Sequence, residues 1–284
     1  MIPRDHILEW RAQAPWPQDI QVEQDLIICR ALVAIFSNPV LHDALAFRGG
    51  TALYKLHLPA ARYSEDIDLV QTKAGSAKPM MDALHEVLNP WLGQPKTKQN
   101  EGSIAFVYRL QSEDTPPLPL RLRVETNTRE HFSVYGFKEI PFSVKSRWFE
   151  ESCNIHTYEL DELLGTKMRA LYQRRQGRDL FDMAIALKSG KADPDRIVNA
   201  FQKYMEHENH KITRAIFEEN FLKKLDDPEF MADISPLLAS GYEWDLEAAA
   251  PLARGARFNP TAFQAVSFQP PHRVDGGWGG RISA

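Results

Sequence analysis

The chain of 284 residues has only two cysteines, Cys29 and Cys153. Two thiols cannot make the disulfide framework of a small secreted domain. Cys29 lies in Asp25-Leu-Ile-Ile-Cys-Arg-Ala-Leu, where a small core residue is the simplest reading. No apolar run is long enough to cross a bilayer, so no membrane partner is expected. The opening Met1-Ile-Pro-Arg-Asp-His lacks the basic-then-apolar pattern of a secretion signal, and a reducing cytoplasm is the expected setting. Net charge is also small. The formal net charge is −4, without the overall basicity of a nucleic-acid binder. Internal repeats are absent, and so is the Gly-x-x-x-x-Gly-Lys-Ser/Thr loop of the common nucleotide-binding folds.

What is present fits a globular protein: 43% hydrophobic, 25% charged and 10% aromatic residues, with length for one large or two ordinary domains. Residues 19–37 carry a broad apolar helical face through Ile20, Val22, Leu26, Ile27, Leu32, Val33 and Phe36, and Asn38-Pro39 ends it. Leu41 to Phe47 is a short helix or strand. Thr51 to Leu56 is helical, with Thr51 able to cap it. Asp66 to Val70 reads as a strand and Lys78 to Leu92 as a helix. Further strands are expected over 104–109, 118–126 and 142–144. In the second of these, Leu118, Leu120, Leu122 and Val124 alternate with Arg121, Arg123 and Glu125. From about Tyr158 to Leu238 helical patterns follow one another, which places a domain boundary near 150–157. The resulting expectation is a domain over 1–155, a helical domain over 156–253, and an irregular tail over 254–284 that is loose or docks a partner.

Two short motifs carry chemistry. In Phe47-Arg-Gly-Gly-Thr-Ala-Leu-Tyr, Gly49 and Gly50 let phosphate oxygens approach the backbone, and the helix that follows offers free N–H groups. Thr51 adds a hydroxyl donor. In Ser64-Glu-Asp-Ile-Asp-Leu-Val, Asp66 and Asp68 are two apart on a strand and leave the same face. Adjacent carboxylates repel unless a cation sits between them. In-line attack at phosphorus under two metal ions is the chemistry that uses such a pair. Glu125, on the polar face of its strand, is the candidate third carboxylate. A solvent-facing residue near Arg123 and Arg129 is the alternative.

A third signal lies farther on. In Tyr158-Glu-Leu-Asp-Glu-Leu-Leu-Gly-Thr-Lys-Met-Arg-Ala-Leu-Tyr, Lys167 falls on the apolar stripe of Leu160, Leu163, Leu164 and Leu171. A lysine there needs an anionic partner, which would be nucleotide phosphate in a cleft, unless it reaches back to the surface. Next, Asp179 and Asp182 share one face, a turn apart, close to Arg174, Arg175 and Arg178. This cluster reads either as a group that orients Lys167 or assists proton transfer, or as a buried salt-bridge corner.

Taken in order, Gly49-Gly50-Thr51, Ser64-x-Asp66-x-Asp68, Lys167-x-x-Ala170-Leu171 and Arg178-Asp179-x-x-Asp182 resemble the four motifs of the abortive-infection AbiEii/AbiGii toxin nucleotidyltransferases, in the DNA polymerase β-like superfamily. The match spans about residues 20–190. The resemblance implies an α/β (α+β) fold, with a polymerase β-like mixed sheet, flanking helices and a C-terminal helical domain. It implies an NTP substrate with Mg²⁺ or Mn²⁺ in the cleft, and metal on Asp66 and Asp68. It further implies phosphate contacts from Gly49, Gly50 and Thr51, nucleotide contact from Lys167, Arg178 and Asp179, and a requirement for Asp182 or Asp179. An RNA acceptor, tRNA included, and a cognate antitoxin partner are also implied. Arg178 departs from the lysine often found before the motif's aspartate. Transfer to a protein or small molecule, or NTP binding without catalysis, are the alternative functions.

Overall fold

A computed structural model gives the fold and describes residues 2–244. The segment 254–284, read above as a tail, lies outside the described residues. Helices α1 (Arg4–Trp10), α2 (Asp19–Ser37) and α3 (Pro39–Ala44) lead into strand β1 (Leu45–Arg48). The stretch 41–47 is thus a helix running into a strand, both of the readings its sequence allowed. A four-residue helix, α4 (Gly49–Ala52), continues into a π-helical turn at Leu53–His57. Then follow β2 (Asp66–Gln71), α5 (Lys78–Leu92), β3 (Lys96–Asn100), β4 (Ser103–Gln111), β5 (Pro119–Asn127), β6 (Phe137–Lys145) and β7 (Glu150–Tyr158). Helices α6 (Leu160–Gln173), α7 (Gly177–Lys188), α8 (Pro194–His207), α9 (Arg214–Leu225) and α10 (Pro228–Ala232) complete the described chain, with a 3₁₀ turn at Ser235–Leu237.

The seven strands form one mixed sheet in the order β3-β4-β5-β2-β1-β7-β6. Strand β2 lies at its centre, antiparallel to β1 and parallel to β5. Period-2 alternation decides which side is covered. Ile104, Phe106, Tyr108, Leu120, Leu122 and Val124 point to one face and are buried in a core with α2 and α5. A second apolar cluster joins α6 to α10 and draws in Leu53, Tyr54, Leu58 and Ala61 from the segment between β1 and β2. Helix α6 serves both, since Leu163 packs in the first cluster and Leu164, Met168 and Leu171 in the second. The stretch 150–157, expected to be a boundary, is strand β7, and the helices start at Leu160.

Buried polar groups fix the pieces that frame the site. Asp25 on α2 accepts from Trp10 Nε1 at 2.9 Å, Trp16 Nε1 at 3.0 Å and Lys55 Nζ at 2.6 Å, tying α1 and the π-helical turn to α2. Glu162 on α6 accepts from the Val134 and Tyr135 amides, at 2.7 and 2.8 Å, and from Tyr204 Oη at 2.9 Å. It thereby pins the β5–β6 loop and α8 to α6. Lys224 Nζ donates to the Leu171, Tyr172 and Arg174 carbonyls, satisfying the open C-terminal end of α6. Cys29 is a buried core residue whose thiol burial pushes up to about 12.

Candidate active site

Asp66 and Asp68 are the first and third residues of β2, and both leave the uncovered face of the sheet while Ile67 and Leu69 enter the core. Among the described residues neither carboxylate has a hydrogen bond or ion pair from a protein side chain. Burial, then Asp68, then Glu65, push the Asp66 carboxyl up to about 6 against the pull of Arg123 and Arg121. The pair is therefore a concentration of negative charge that the nearby arginines only partly offset. A divalent cation suits it, because Mg²⁺ takes one or two protein carboxylates and fills its other positions with water and phosphate oxygens.

The glycine turn is shaped around this pair. Gly49 has φ +83°, and a Cβ there would lie 2.1 Å from Asp68 Oδ2. Only glycine combines that backbone with so close a carboxylate. At Gly50 a Cβ would lie 2.5 Å from Arg62 Nη2, so this glycine is the passage for the Arg62 guanidinium. Thr51 differs from its expected part. It is 2% exposed, and its hydroxyl donates to the Asp66 carbonyl at 2.6 Å and approaches Ser64 Oγ at 3.0 Å. The hydroxyl proton thus ties α4 to the start of β2 and is not offered to a phosphate. Nor is Thr51 a helix cap, since α4 begins two residues earlier.

Glu125 stands beside Asp68 in the register of β5 with β2, on the same face. Its carboxylate is turned to Arg123, 2.6 Å away. Among the described residues no three His, Cys, Asp or Glu side chains are grouped closely enough to hold a metal ion. The geometry provides a two-carboxylate site with Glu125 engaged next to it.

Facing the sheet, α6 closes a cleft of about 390 Å³. Arg48, Gly49, Asp68, Ser103, Glu125 and Asn127 form its sheet side. Thr166, Lys167, Arg169, Gln173 and Arg174 form the helix side. Lys167 is 7% exposed and lines this cleft. Its ammonium lies 3.0 Å from Asp182 Oδ2 and 3.2 Å from Asp179 Oδ1.

Behind Lys167 the charges close a circuit. Asp182 is fully buried and accepts from Tyr54 Oη at 2.8 Å, Arg62 Nε at 2.6 Å and Arg62 Nη2 at 2.7 Å. Burial alone would raise its carboxyl, but Arg62 and then Lys167 override burial and hold it at about 2. Asp179, also fully buried, takes a two-pronged grip from Arg174, 2.8 and 2.9 Å. Lys167, then Arg174, overcome its burial and lower its carboxyl as well. Both aspartates therefore stay ionised and orient Lys167 and Arg174, a positioning role. Neither lines the cleft.

Arg178, expected at the nucleotide, faces elsewhere. Its backbone amide donates to Asp233 Oδ2 at 3.0 Å, its Nε to Gln176 Oε1 at 3.3 Å, and it does not line the cleft. Arg174 occupies the place foreseen for it. Two further residues, Arg48 and Arg62, escaped the sequence reading. Arg48 pairs with Glu130 at 2.6 Å, and Arg169 with the same Glu130 at 2.8 Å, which places two guanidinium groups on the cleft wall. Arg62 joins the glycine turn to Asp182. Its only sequence signal was its position two residues before Ser64.

A family model described as "Nucleotidyl transferase AbiEii toxin, Type IV TA system" matches residues 30–250. No curated protein matches. Among solved structures, MenT4, a nucleotidyltransferase toxin from Mycobacterium tuberculosis H37Rv, superposes with a TM-score of 0.58 at 14% identity, over 94% of this chain and 91% of that one. A protein from H. pylori described as a candidate nucleotidyltransferase superposes with a TM-score of 0.51 at 15% identity, over 87% of this chain and 96% of that one. At such identities the likeness is one of fold.

Proposed function

The chain belongs to the AbiEii nucleotidyltransferase toxin family of type IV toxin–antitoxin systems, and from that premise we propose that it moves a nucleoside monophosphate from an NTP to a hydroxyl of RNA, with tRNA the leading acceptor. The single observation behind this reading is the cleft itself: Asp68, neighbour of Asp66 on β2, lines its sheet side opposite Lys167 and Arg169 on α6 and Arg174 at the end of that helix. One wall suits a divalent cation and the other suits a triphosphate.

Asp66 and Asp68 would hold Mg²⁺ or Mn²⁺, which supplies positive charge to the triphosphate and makes the acceptor hydroxyl a better nucleophile. Gly49 keeps the backbone clear of Asp68 and leaves the approach open to phosphate oxygens. Lys167 and Arg174, held by buried aspartates, present fixed cations to the phosphates and need no reorganisation as charge develops. The acceptor oxygen bonds to the α-phosphorus, the bond to the bridging oxygen breaks, pyrophosphate leaves, and the hydroxyl proton passes to solvent. Asp182 is fully buried behind Lys167 and does not line the cleft, so it acts through Lys167. In this reading the cleft works in the cytoplasm, and the family's cognate antitoxin restrains it. No helix among the described residues is long and apolar enough to cross a membrane.

The test is incubation with α-³²P-labelled NTPs, Mg²⁺ and total tRNA. Label should enter material that RNase destroys and protease spares, and Asp66→Ala should abolish it. Label that survives RNase and is lost to protease would move the acceptor from RNA to protein.

A further inference from the structure

The register of the sheet carries its open face well beyond the cleft. Asp66 is paired with Arg123, Arg123 with Val107, and Val107 with Lys96. One row over, Asp68 is paired with Glu125, Glu125 with Ala105, and Ala105 with Lys98. Arg109 and Arg121 pair in the same phase. Partners in register share a face, so Lys96, Lys98, Arg109, Arg121 and Arg123 all stand on the side that bears the aspartate pair. Three strand spacings, about 14 Å, separate the Lys96 end of its row from Asp66. Arg123 is engaged by Glu125 at 2.6 Å and Arg121 by Glu65 at 3.5 Å. Lys96, Lys98 and Arg109 are exposed and have no ion pair among the described residues.

We infer that this face, β3-β4-β5, seats the sugar–phosphate backbone of the acceptor RNA and leads its end to Asp66 and Asp68; the inference rests on the RNA reading above. Cations about 6.6 Å apart along a strand and about 4.8 Å apart across strands form a grid, not a pocket, and a grid suits an extended polyanion. Between the cations stand the polar Ser103 and Asn127, the buried Ala105 and the half-buried Val107. The aromatic residues of β4, Phe106 and Tyr108, point into the core. Bases therefore find no stacking platform here, and recognition is of the backbone. A protein partner would need an apolar centre to bury, and here that centre is only the half-buried Val107 beside the buried Ala105. The face is also continuous with the reacting carboxylates, so whatever lies on it is delivered to them.

The test is the triple variant Lys96→Glu/Lys98→Glu/Arg109→Glu, assayed with total tRNA as acceptor. The KM for tRNA should rise at least about ten-fold, and the slope of log KM against log salt should fall by about 2–3. The KM for NTP and the thermal midpoint should stay at wild-type values, since all three side chains are exposed. The triple alanine variant should show the same changes at smaller amplitude. An unchanged tRNA KM and slope would overturn the inference. Loss of antitoxin neutralisation with tRNA kinetics intact would reassign the face to protein docking. If the wild type labels no RNA at all, the acceptor reading fails first and this inference falls with it.

Discussion

The protein has two pairs of aspartates, treated in opposite ways. Asp66 and Asp68, two residues apart on β2, make no direct ion pair among the described residues, and Asp66 is pushed up to about 6 despite the pull of Arg123 and Arg121. Asp179 and Asp182, three apart on α7, are saturated by Arg174, Lys167 and Arg62, and Asp182 is held at about 2. The first pair stores repulsion that an arriving cation relieves. The second has its cations built in and converts them into a rigid mount for Lys167. Similar side chains thus make a binding site in one place and a scaffold in the other, and the opposite shifts of Asp66 and Asp182 mark the difference.

Removing the first pair should break the chemistry and spare the fold. Asp66→Asn or Asp68→Asn should lower kcat by at least about 10³-fold, in line with losing the main electrostatic element of a transfer site. Without metal, Asp66→Asn should melt above wild type, because a destabilised charge is gone. Mn²⁺ should raise the wild-type midpoint and leave the double asparagine variant unmoved. A metal-induced shift that survives in that variant would place the cation elsewhere.

Removing the second pair should break the fold instead. Asp182→Ala strands Arg62 in the interior and leaves Lys167 with Asp179 alone, at a cost of about 3–5 kcal/mol. For a chain of this size that is roughly 10 °C in midpoint. Chemical denaturation measures it directly. The metal-induced increment in midpoint should persist in whatever fraction stays folded. A variant that melts like wild type would show the circuit to be ornamental.

How much of this contrast the sequence displayed depends on the range of each contact. Asp66 and Asp68 were legible because a strand sends i and i+2 to one face. Lys167 was legible because it interrupts an apolar stripe on its own helix. The central helices and β4, β5 and β2 were legible from periodicity. Strand β3, Lys96-Thr-Lys-Gln-Asn, is exposed throughout and has no alternation to read. Strand β7 begins Glu150-Glu-Ser-Cys-Asn, without clear apolar alternation, and was passed over for the change to helical patterns that starts near Tyr158. Arg62 was missed because its partner lies 120 residues away. The open choice at Asp179 and Asp182 could be resolved only once Arg62 had been brought beside them. Thr51 was misread because its hydroxyl turns to a strand that sequence could not place behind it.

The pairs should also separate on a pH axis. Asp66 binds a proton more tightly folded than unfolded, with a folded value of about 6 against an ordinary 3.8. Its contribution to metal-free stability is therefore favourable below about 4 and is lost as pH rises through 6. Asp182 is the reverse. Its folded value of about 2 gives stability that is present above 3.8 and disappears as pH falls towards 2. Between pH 4 and 6 the wild type should differ in slope from Asp66→Asn, and saturating Mn²⁺ should reverse the sign of that difference. Transfer activity at limiting metal should fall as pH drops through about 6. Parallel stability profiles for wild type and Asp66→Asn would remove Asp66 from the titration.

The smallest effect tests the edge of the scaffold. Arg174 and Arg178 are four residues apart, yet Arg174 grips Asp179 from the cleft wall while Arg178 turns to Gln176 and Asp233. The family resemblance places Arg178 at the nucleotide because it stands just before the motif's Asp179. On a helix, however, consecutive residues point about 100° apart, so adjacency to Asp179 is a reason to face away from what Asp179 faces. Arg174→Ala should raise the KM for NTP about ten-fold, the effect of losing one charged phosphate contact of about 1.4 kcal/mol. Arg178→Ala should leave that KM within about two-fold, since surface substitutions away from a site usually shift energies by less than about 0.5 kcal/mol. If the order is reversed, the triphosphate lies against α7 and not α6, and the buried circuit supports a different wall of the cleft.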